Sequence, residues 1–390
     1  MNYNFDEIID RRNTASVKYD LRGAYFGNEN VIPMWVADMD FKTPSFVIDE
    51  LRKRLEHEIM GYTFRPDSYY EAIIQWVKKR HNWNIQKDWI SFSPGVVPAV
   101  NMAVLAFTNP GDKIIIQQPV YFPFFSAIKN HNRILVNNPL VFRNGRYYMD
   151  YDDLRKKIDP EVKMLILCNP HNPTGNVWTK EEIQKLADIC MEKNVLILSD
   201  EIHSDLVFKG NVHTPTASLS GDISGNVITF MAPSKTFNLA GLSTSVIIGS
   251  DKKLLSKFNA VLENVHVGGG NIFGQVALEA AYKHGAGWLD ELLDYLEGNV
   301  EFMVKYLGRH IPQIKPVVPE ATYMAWLDCR ELGMDRNELK NFMIHKAGIG
   351  FSDGTLFGEE GAGFQRINFG CPRSVLKEAL DKLGSTLKRN

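Results

Sequence analysis

Val195-Leu196-Ile197-Leu198-Ser199-Asp200-Glu201-Ile202-His203 is an apolar run that stops abruptly in charged and polar residues. The run reads as a strand buried on both faces, and its polar end as the loop leaving the strand's carboxyl edge. The same pattern recurs on both sides. Met164-Leu165-Ile166-Leu167-Cys168 leads into Asn169-Pro170-His171-Asn172-Pro173-Thr174-Gly175. Val227-Ile228-Thr229-Phe230-Met231 leads into Ala232-Pro233-Ser234-Lys235-Thr236-Phe237-Asn238-Leu239-Ala240-Gly241. Two further runs, Lys113–Gln117 and Ser245–Gly249, complete the series. Thr179 to Lys193 reads as an amphipathic helix, with Thr179 as N-cap and Glu181 and Glu182 in the first turn. Strands alternating with helices predict an α/β fold with helices on both faces of the sheet. Ligands of such sheets bind beyond the carboxyl ends of the strands, where all three polar loops begin.

The chain has 390 residues, enough for two or three domains. Its texture changes near residue 286. There, a long helix-like segment from Trp288 to about Arg309 is followed by short strands, Ile314–Val318 and Tyr323–Leu327. A helix near Arg336–Lys346, a strand Gln365–Phe369 and a last helix from Ser374 close the chain. The expected division is an irregular, aromatic N-terminal arm (1–45) packed on a small C-terminal α+β domain (286–390), with a large domain (46–285) between them. A net charge of −2 gives no reason to expect nucleic acid or an anionic membrane as partner. No apolar run is long enough to span a bilayer. The start, Met1-Asn2-Tyr3-Asn4-Phe5-Asp6-Glu7, lacks the basic and apolar regions of a signal peptide. Cys168, Cys190, Cys329 and Cys371 have neither zinc nor redox spacing, and no His-Glu-x-x-His motif occurs. They read as reduced thiols of a cytoplasmic protein, Cys168 in a strand core, with no metal site.

Taken singly, Lys235 reads as a solvated lysine and Asp200 as a helix cap. Together with Asn172 they place an amine, a carboxylate and a rigidly held amide at one sheet edge. That set can hold pyridoxal 5′-phosphate (PLP) as a Schiff base, with the carboxylate keeping the ring nitrogen protonated. Two prolines and Gly175 hold the Asn172 amide, which can donate to a ring oxygen. Ser93-Pro94-Gly95-Val96-Val97-Pro98 opens an apolar helix running to Phe107, whose free N–H groups suit a phosphate. Ser234 is a candidate second phosphate ligand. Tyr121 follows another strand end and can stack on the ring. Phe122, Phe124 and Phe125 read as core or channel wall. Arg366 sits in a strand otherwise fit for burial, where either a substrate carboxylate or a structural ion pair accounts for it. Arg373 reads as structural or solvated, and Lys78-Lys79-Arg80-His81 as a solvated helix end.

In this order, Asn-Pro-x-Asn-Pro-Thr-Gly, an aspartate at a strand end and Ser-Lys resemble the class I/II aminotransferase family, the fold-type-I PLP enzymes. A narrower resemblance, to cystathionine β-lyases and cystalysin-like C–S lyases, lies in Pro33-Met34-Trp35-Val36-Ala37-Asp38-Met39-Asp40-Phe41 and Gly61-Tyr62-Thr63. It lies also in Ser199–His203, Ala232–Asn238 and Arg366–Arg373. The resemblance implies a mainly parallel seven-stranded sheet and a smaller α+β domain. It implies Lys235 as the Schiff-base lysine and general base, Asp200 as partner of the ring nitrogen, and Asn172 on the ring oxygen. Tyr121 would stack, and the Gly95, Val96 and Val97 turn with Ser234 would hold the phosphate. Arg366 would grip the substrate carboxylate, with Ala37, Asn172 and Tyr121 nearby. Tyr62 would reach the phosphate of a neighbouring subunit, making a homodimer.

Ordinary aminotransferases carry an arginine eight positions after the lysine, where this chain has Ser243, and often a tyrosine three after the aspartate, where it has His203. Both departures point to the lyase subgroup, with His203 still beside the cofactor. The implied reaction is α,β-elimination of L-cystathionine or another L-cysteine S-conjugate to thiol, pyruvate and ammonia. An aminotransferase acting on an L-amino acid and a 2-oxo acid is the alternative. A PLP-binding regulator without turnover is the third reading.

Overall fold

A computed structural model describes residues 3–389. Seven strands form the central sheet: β1 (Ile90–Ser93), β2 (Lys113–Ile116), β3 (Ile134–Asn137), β4 (Val162–Cys168), β5 (Leu196–Asp200), β6 (Val227–Met231) and β7 (Ser245–Ile248). Their order is β1-β7-β6-β5-β4-β2-β3. All neighbours run parallel except β7, which is antiparallel to both β1 and β6. The sheet is thus α/β and mostly parallel, as read from the apolar runs. β5 and β6 are buried at every position, and β4 at all but one. This is why they carry no polar alternation: helices cover both faces.

The helix predicted from Thr179 runs over Lys180–Glu192. Thr179 accepts the Glu182 N–H while the Glu182 carboxylate accepts the Thr179 N–H, a complete capping box. Its apolar stripe, Ile183, Leu186, Ala187 and Cys190, is buried against the sheet side of the core.

After a 25-residue helix, Ala286–His310, a four-stranded antiparallel-paired sheet forms from Lys315–Val317, Met324–Asp328, Phe364–Asn368 and Ser352–Asp353. The helix read at Arg336–Lys346 is α-helical over Arg336–Asn341 and continues as a π-helical turn. The N-terminal arm is less irregular than its sequence implies. It contains short helices at Val17–Asp20 and Arg22–Phe26, and Ile32–Pro33 pairs in parallel with Ile349–Gly350. Segments of four, five and two residues are too short to show a period. Phe5 packs edge-on against Trp288 and Phe41.

The Lys78–His81 reading needs correction. The His81 side chain is buried, and its Nε2 lies 3.0 Å from Asp205 Oδ1. Arg80 pairs with Asp290. The helix end turns one side inward, and a buried carboxylate holds it there. Arg373 is structural, stacked over Tyr295 and Phe302. Phe124 is core as expected, whereas Phe122 is 43% exposed. All four cysteines are buried and unpaired. Among the described residues no helix is long and apolar enough to cross a membrane.

Candidate active site

A cavity of about 740 Å³, counting its open mouth, lies at the carboxyl ends of β4, β5 and β6. That is the size of a small-molecule site. Each strand delivers one chemical group to it. The loop after β4 brings Asn172, β5 ends in Asp200 with His203 just beyond, and the turn after β6 brings Ser234 and Lys235. Gly95, Val96 and Val97, at the start of the helix Val96–Phe107, form one wall, and Tyr121 and Ala37 form others.

The Asn172 loop is held from several sides. His171 N–H donates to Asn176 O and Gly175 N–H to His171 O, both at 2.8 Å. Gly175 has φ +76°, and a Cβ there would lie 2.6 Å from Pro319 Cβ and 2.9 Å from its Cα. Only glycine satisfies both the turn and the close approach. Asn172 Oδ1 accepts from Arg366 Nη1 at 3.1 Å, which leaves the amide NH2 for another acceptor.

Asp200 is 2% exposed. Its Oδ1 accepts the Ile202 N–H at 3.1 Å, and among the described residues its carboxylate forms no ion pair. Burial without a cation pushes its pKa up to about 7, against the downward pull of the Ile202 amide and Lys235. Among the described residues Lys235 Nζ likewise has no carboxylate in contact. It donates to Ala37 O at 2.7 Å, and loss of hydration lowers its pKa to about 8, against the pull of the Asp38 charge. His203 is buried with Nδ1 unpartnered, and burial holds it neutral.

The donor chemistry of the site calls for a complementary cationic ring nitrogen and a carbonyl. A buried carboxylate without a cation is costly, and the cost vanishes when a protonated ring nitrogen meets it. An amine with depressed pKa is a nucleophile for a carbonyl. The helix starting at Val96 has no side-chain cap on its first-turn amides, which suits an anion. The donor set therefore fits PLP.

The family described as aminotransferase class I and II matches residues 29–383. The chain belongs to that family. Among aminotransferase class I and II relatives, it is 44% identical over 385 residues to the cystathionine beta-lyase PatB of Bacillus subtilis (strain 168), covering 98% of this chain and 100% of that protein. Its fold matches cystalysin from Treponema denticola, solved with a PLP cofactor, at TM-score 0.97 and 40% identity, covering 100% of both chains. It also matches the PLP-bound C–S lyase of Staphylococcus hominis at TM-score 0.93 and 38% identity, covering 99% and 98%.

Not every expected site residue lines the cavity of this class I and II member. Arg366 stands behind Asn172 and is buried. Its Nη2 donates to Trp35 O (2.6 Å) and Ser352 Oγ (3.1 Å), and Nε has no partner. It makes no ion pair among the described residues, so the structural-pair account of this arginine fails. Tyr62 is fully exposed and far from contributing to its own chain's cavity.

Several contributors went unread in the sequence. Cys168 lines the cavity and its sulfur accepts the Asn172 N–H, although it sits in a strand as expected. Ser243, marked in the sequence only as the place where an arginine is absent, also lines it, in a left-handed conformation. Tyr323 donates to the same Ala37 carbonyl that Lys235 uses. Asn238 and Asn368, inside the two motifs already marked by Lys235 and Arg366, clamp the segment around Ala37. Polar residues in otherwise apolar stretches were the available signal.

Proposed function

We propose that this chain is a PLP-dependent carbon–sulfur lyase that performs α,β-elimination on L-cystathionine or a related L-cysteine S-conjugate, giving a thiol, pyruvate and ammonia. The single observation that carries the cofactor reading is Asp200, a buried carboxylate at a strand end with no cation of its own. The reaction class is supported by the named lyases among the relatives and by Ser243 in place of an arginine.

Lys235 Nζ is the covalent anchor. Asp200 would hold a proton on the ring nitrogen, and the Asn172 amide and His203 are the further polar groups available to the ring. The Val96 and Val97 amides, the Gly95 turn and Ser234 would hold the phosphate, and Tyr121 would stack on the ring. When bound, PLP supplies a sink for the electron pair left at Cα. Lys235 Nζ would take the Cα proton; its depressed pKa suits a base working near neutrality. Arg366 would bind the α-carboxylate through its guanidinium, and Asn172 and Ala37 would orient the substrate beside it.

Arg366→Lys is expected to raise KM at least about tenfold while kcat changes less, because a lysine cannot reproduce the planar fork. Steady-state kinetics on L-cystathionine checks this. An equal loss in kcat with unchanged KM would place Arg366 elsewhere in the reaction.

We also propose a homodimer, with Tyr62 reaching the partner's phosphate; a fully exposed tyrosine beside exposed Ile59, Met60 and Phe64 supports it. The division into arm (1–45), large domain (46–285) and small domain (286–390) belongs to the same reading, supported by the pairing of Ile32–Pro33 with Ile349–Gly350. Four buried, unpaired thiols suit a reducing, cytoplasmic setting. The test of the function is a product assay over a panel of S-substituted cysteines and 2-oxo acids. Pyruvate and thiol from the cysteines support it. Amino-group transfer to the oxo acids, with neither product, contradicts it.

A further inference from the structure

The irregular segment Trp35–Asp40 contributes Ala37 to the cavity wall and touches two cations, Lys235 in the cavity and Arg366 behind Asn172. Its Ala37 carbonyl accepts from Lys235 Nζ (2.7 Å) and its Trp35 carbonyl from Arg366 Nη2 (2.6 Å). Nothing in the segment is helical or strand, so its position depends on its ties. From one side Asn368 Nδ2 donates to the Val36 and Asp38 carbonyls, each at 2.6 Å. From another, Asn238 accepts from Met39 N–H and donates to the Met39 and Phe41 carbonyls. The third tie is a cluster of four charges. Arg11 forks onto Asp38 (2.9 and 2.7 Å) and also reaches Asp40 Oδ1 (2.7 Å). Lys18, with no exposed surface, reaches Asp40 Oδ2 at 2.8 Å and lies 3.8 Å from Asp38 Oδ1.

Two cations facing two carboxylates leave the cluster neutral. An arm that only packed its aromatics would not need a fully buried lysine, whose desolvation is costly unless its partner is fixed. A fork that fixes Asp38 also fixes the carbonyl one residue before it.

We propose that Arg11 and Asp38 are positioning residues: through this cluster the N-terminal arm holds the Ala37 carbonyl against Lys235 and sets the net charge that Lys235 faces. This rests on reading Lys235 as the cofactor anchor. The groups facing Lys235 are Asp38 on the segment, Asp200 and His203 beyond β5, Tyr323, and Arg366. Of these, Asp38 is the carboxylate whose effective charge depends on the arm.

The sign of each substitution follows. Removing the Arg11 charge leaves the Asp38 charge uncompensated, so a proton on the Lys235 nitrogen is held more tightly. Removing the Asp38 charge loosens it. The test is a pH titration of the visible absorbance of the loaded holoenzyme, which reports protonation at the Lys235 nitrogen, with Tm followed in parallel. Arg11→Gln is expected to move the midpoint up, Asp38→Asn to move it down, and Arg11→Lys to leave it near the wild-type value. General loosening of the arm would move both in one direction. Shifts of the same sign, or no shift in either, overturn the proposal. If Asp38→Asn does not fold, the Arg11 pair decides: equal midpoints for Gln and Lys overturn it. Lys235→Ala is the control, and a borohydride-reducible cofactor–protein linkage surviving in that variant would sink the anchor reading itself rather than the role of the arm.

Discussion

Asp200→Asn is expected to stabilise the cofactor-free protein above about pH 7 and to destabilise the loaded one, reversing sign with occupancy. In the fold this carboxyl is buried with a single amide for company, and its pKa rises from 3.8 to about 7. The folded state therefore holds this proton more tightly than the unfolded chain does. Its contribution to stability is greatest below the unfolded value and is lost as pH rises through the folded one. Above that point the ionised, unpaired group opposes folding by on the order of 4 kcal/mol. Asparagine keeps the shape and removes the charge. In the loaded protein the same change removes the partner of a cationic ring nitrogen, so PLP affinity falls and turnover drops by roughly 10²–10⁴-fold. Thermal melting of wild type and variant, each with and without PLP, at mildly acidic and mildly alkaline pH, checks both halves. A variant less stable than wild type in both states would show that Asp200 is structural.

Lys235→Ala is expected to abolish covalent cofactor attachment and to lower turnover by at least about 10³-fold, because anchor and general base are lost together. Affinity for PLP should fall less steeply, since the Val96 and Val97 amides, Asp200 and Asn172 remain. Borohydride reduction followed by peptide mass mapping reads the attachment, and product assays read the turnover. Retained turnover near the wild-type rate would remove Lys235 from the chemistry.

The parts of this molecule that sequence exposes are those with a one-dimensional signature. β4, β5 and β6 are legible because strands buried on both faces must be apolar throughout, and each ends where its polar loop begins. The Lys180–Glu192 helix is legible from Thr179 and Glu182, three residues apart. Lys235, Asp200 and Asn172 follow from those strand ends.

What stays hidden depends on contacts between distant segments. The antiparallel direction of β7 cannot be read from four residues, three of them apolar. His81 looks solvated until Asp205, 124 residues away, is seen beside it. Arg366 looked equally fit for an ion pair, and only the packing shows carbonyl and amide oxygens around it. Arg11, Lys18, Asp38 and Asp40 are ordinary surface residue types, and the tie they make around Ala37 exists only in three dimensions.

The claim that this chain breaks a carbon–sulfur bond is tested most directly by incubating the holoenzyme with excess L-cystathionine and no added 2-oxo acid. Thiol, pyruvate and ammonia should accumulate in equal amounts over many turnovers, with the cofactor still in its pyridoxal form. One equivalent of amino group transferred to the cofactor, followed by arrest without thiol or pyruvate, would contradict the claim.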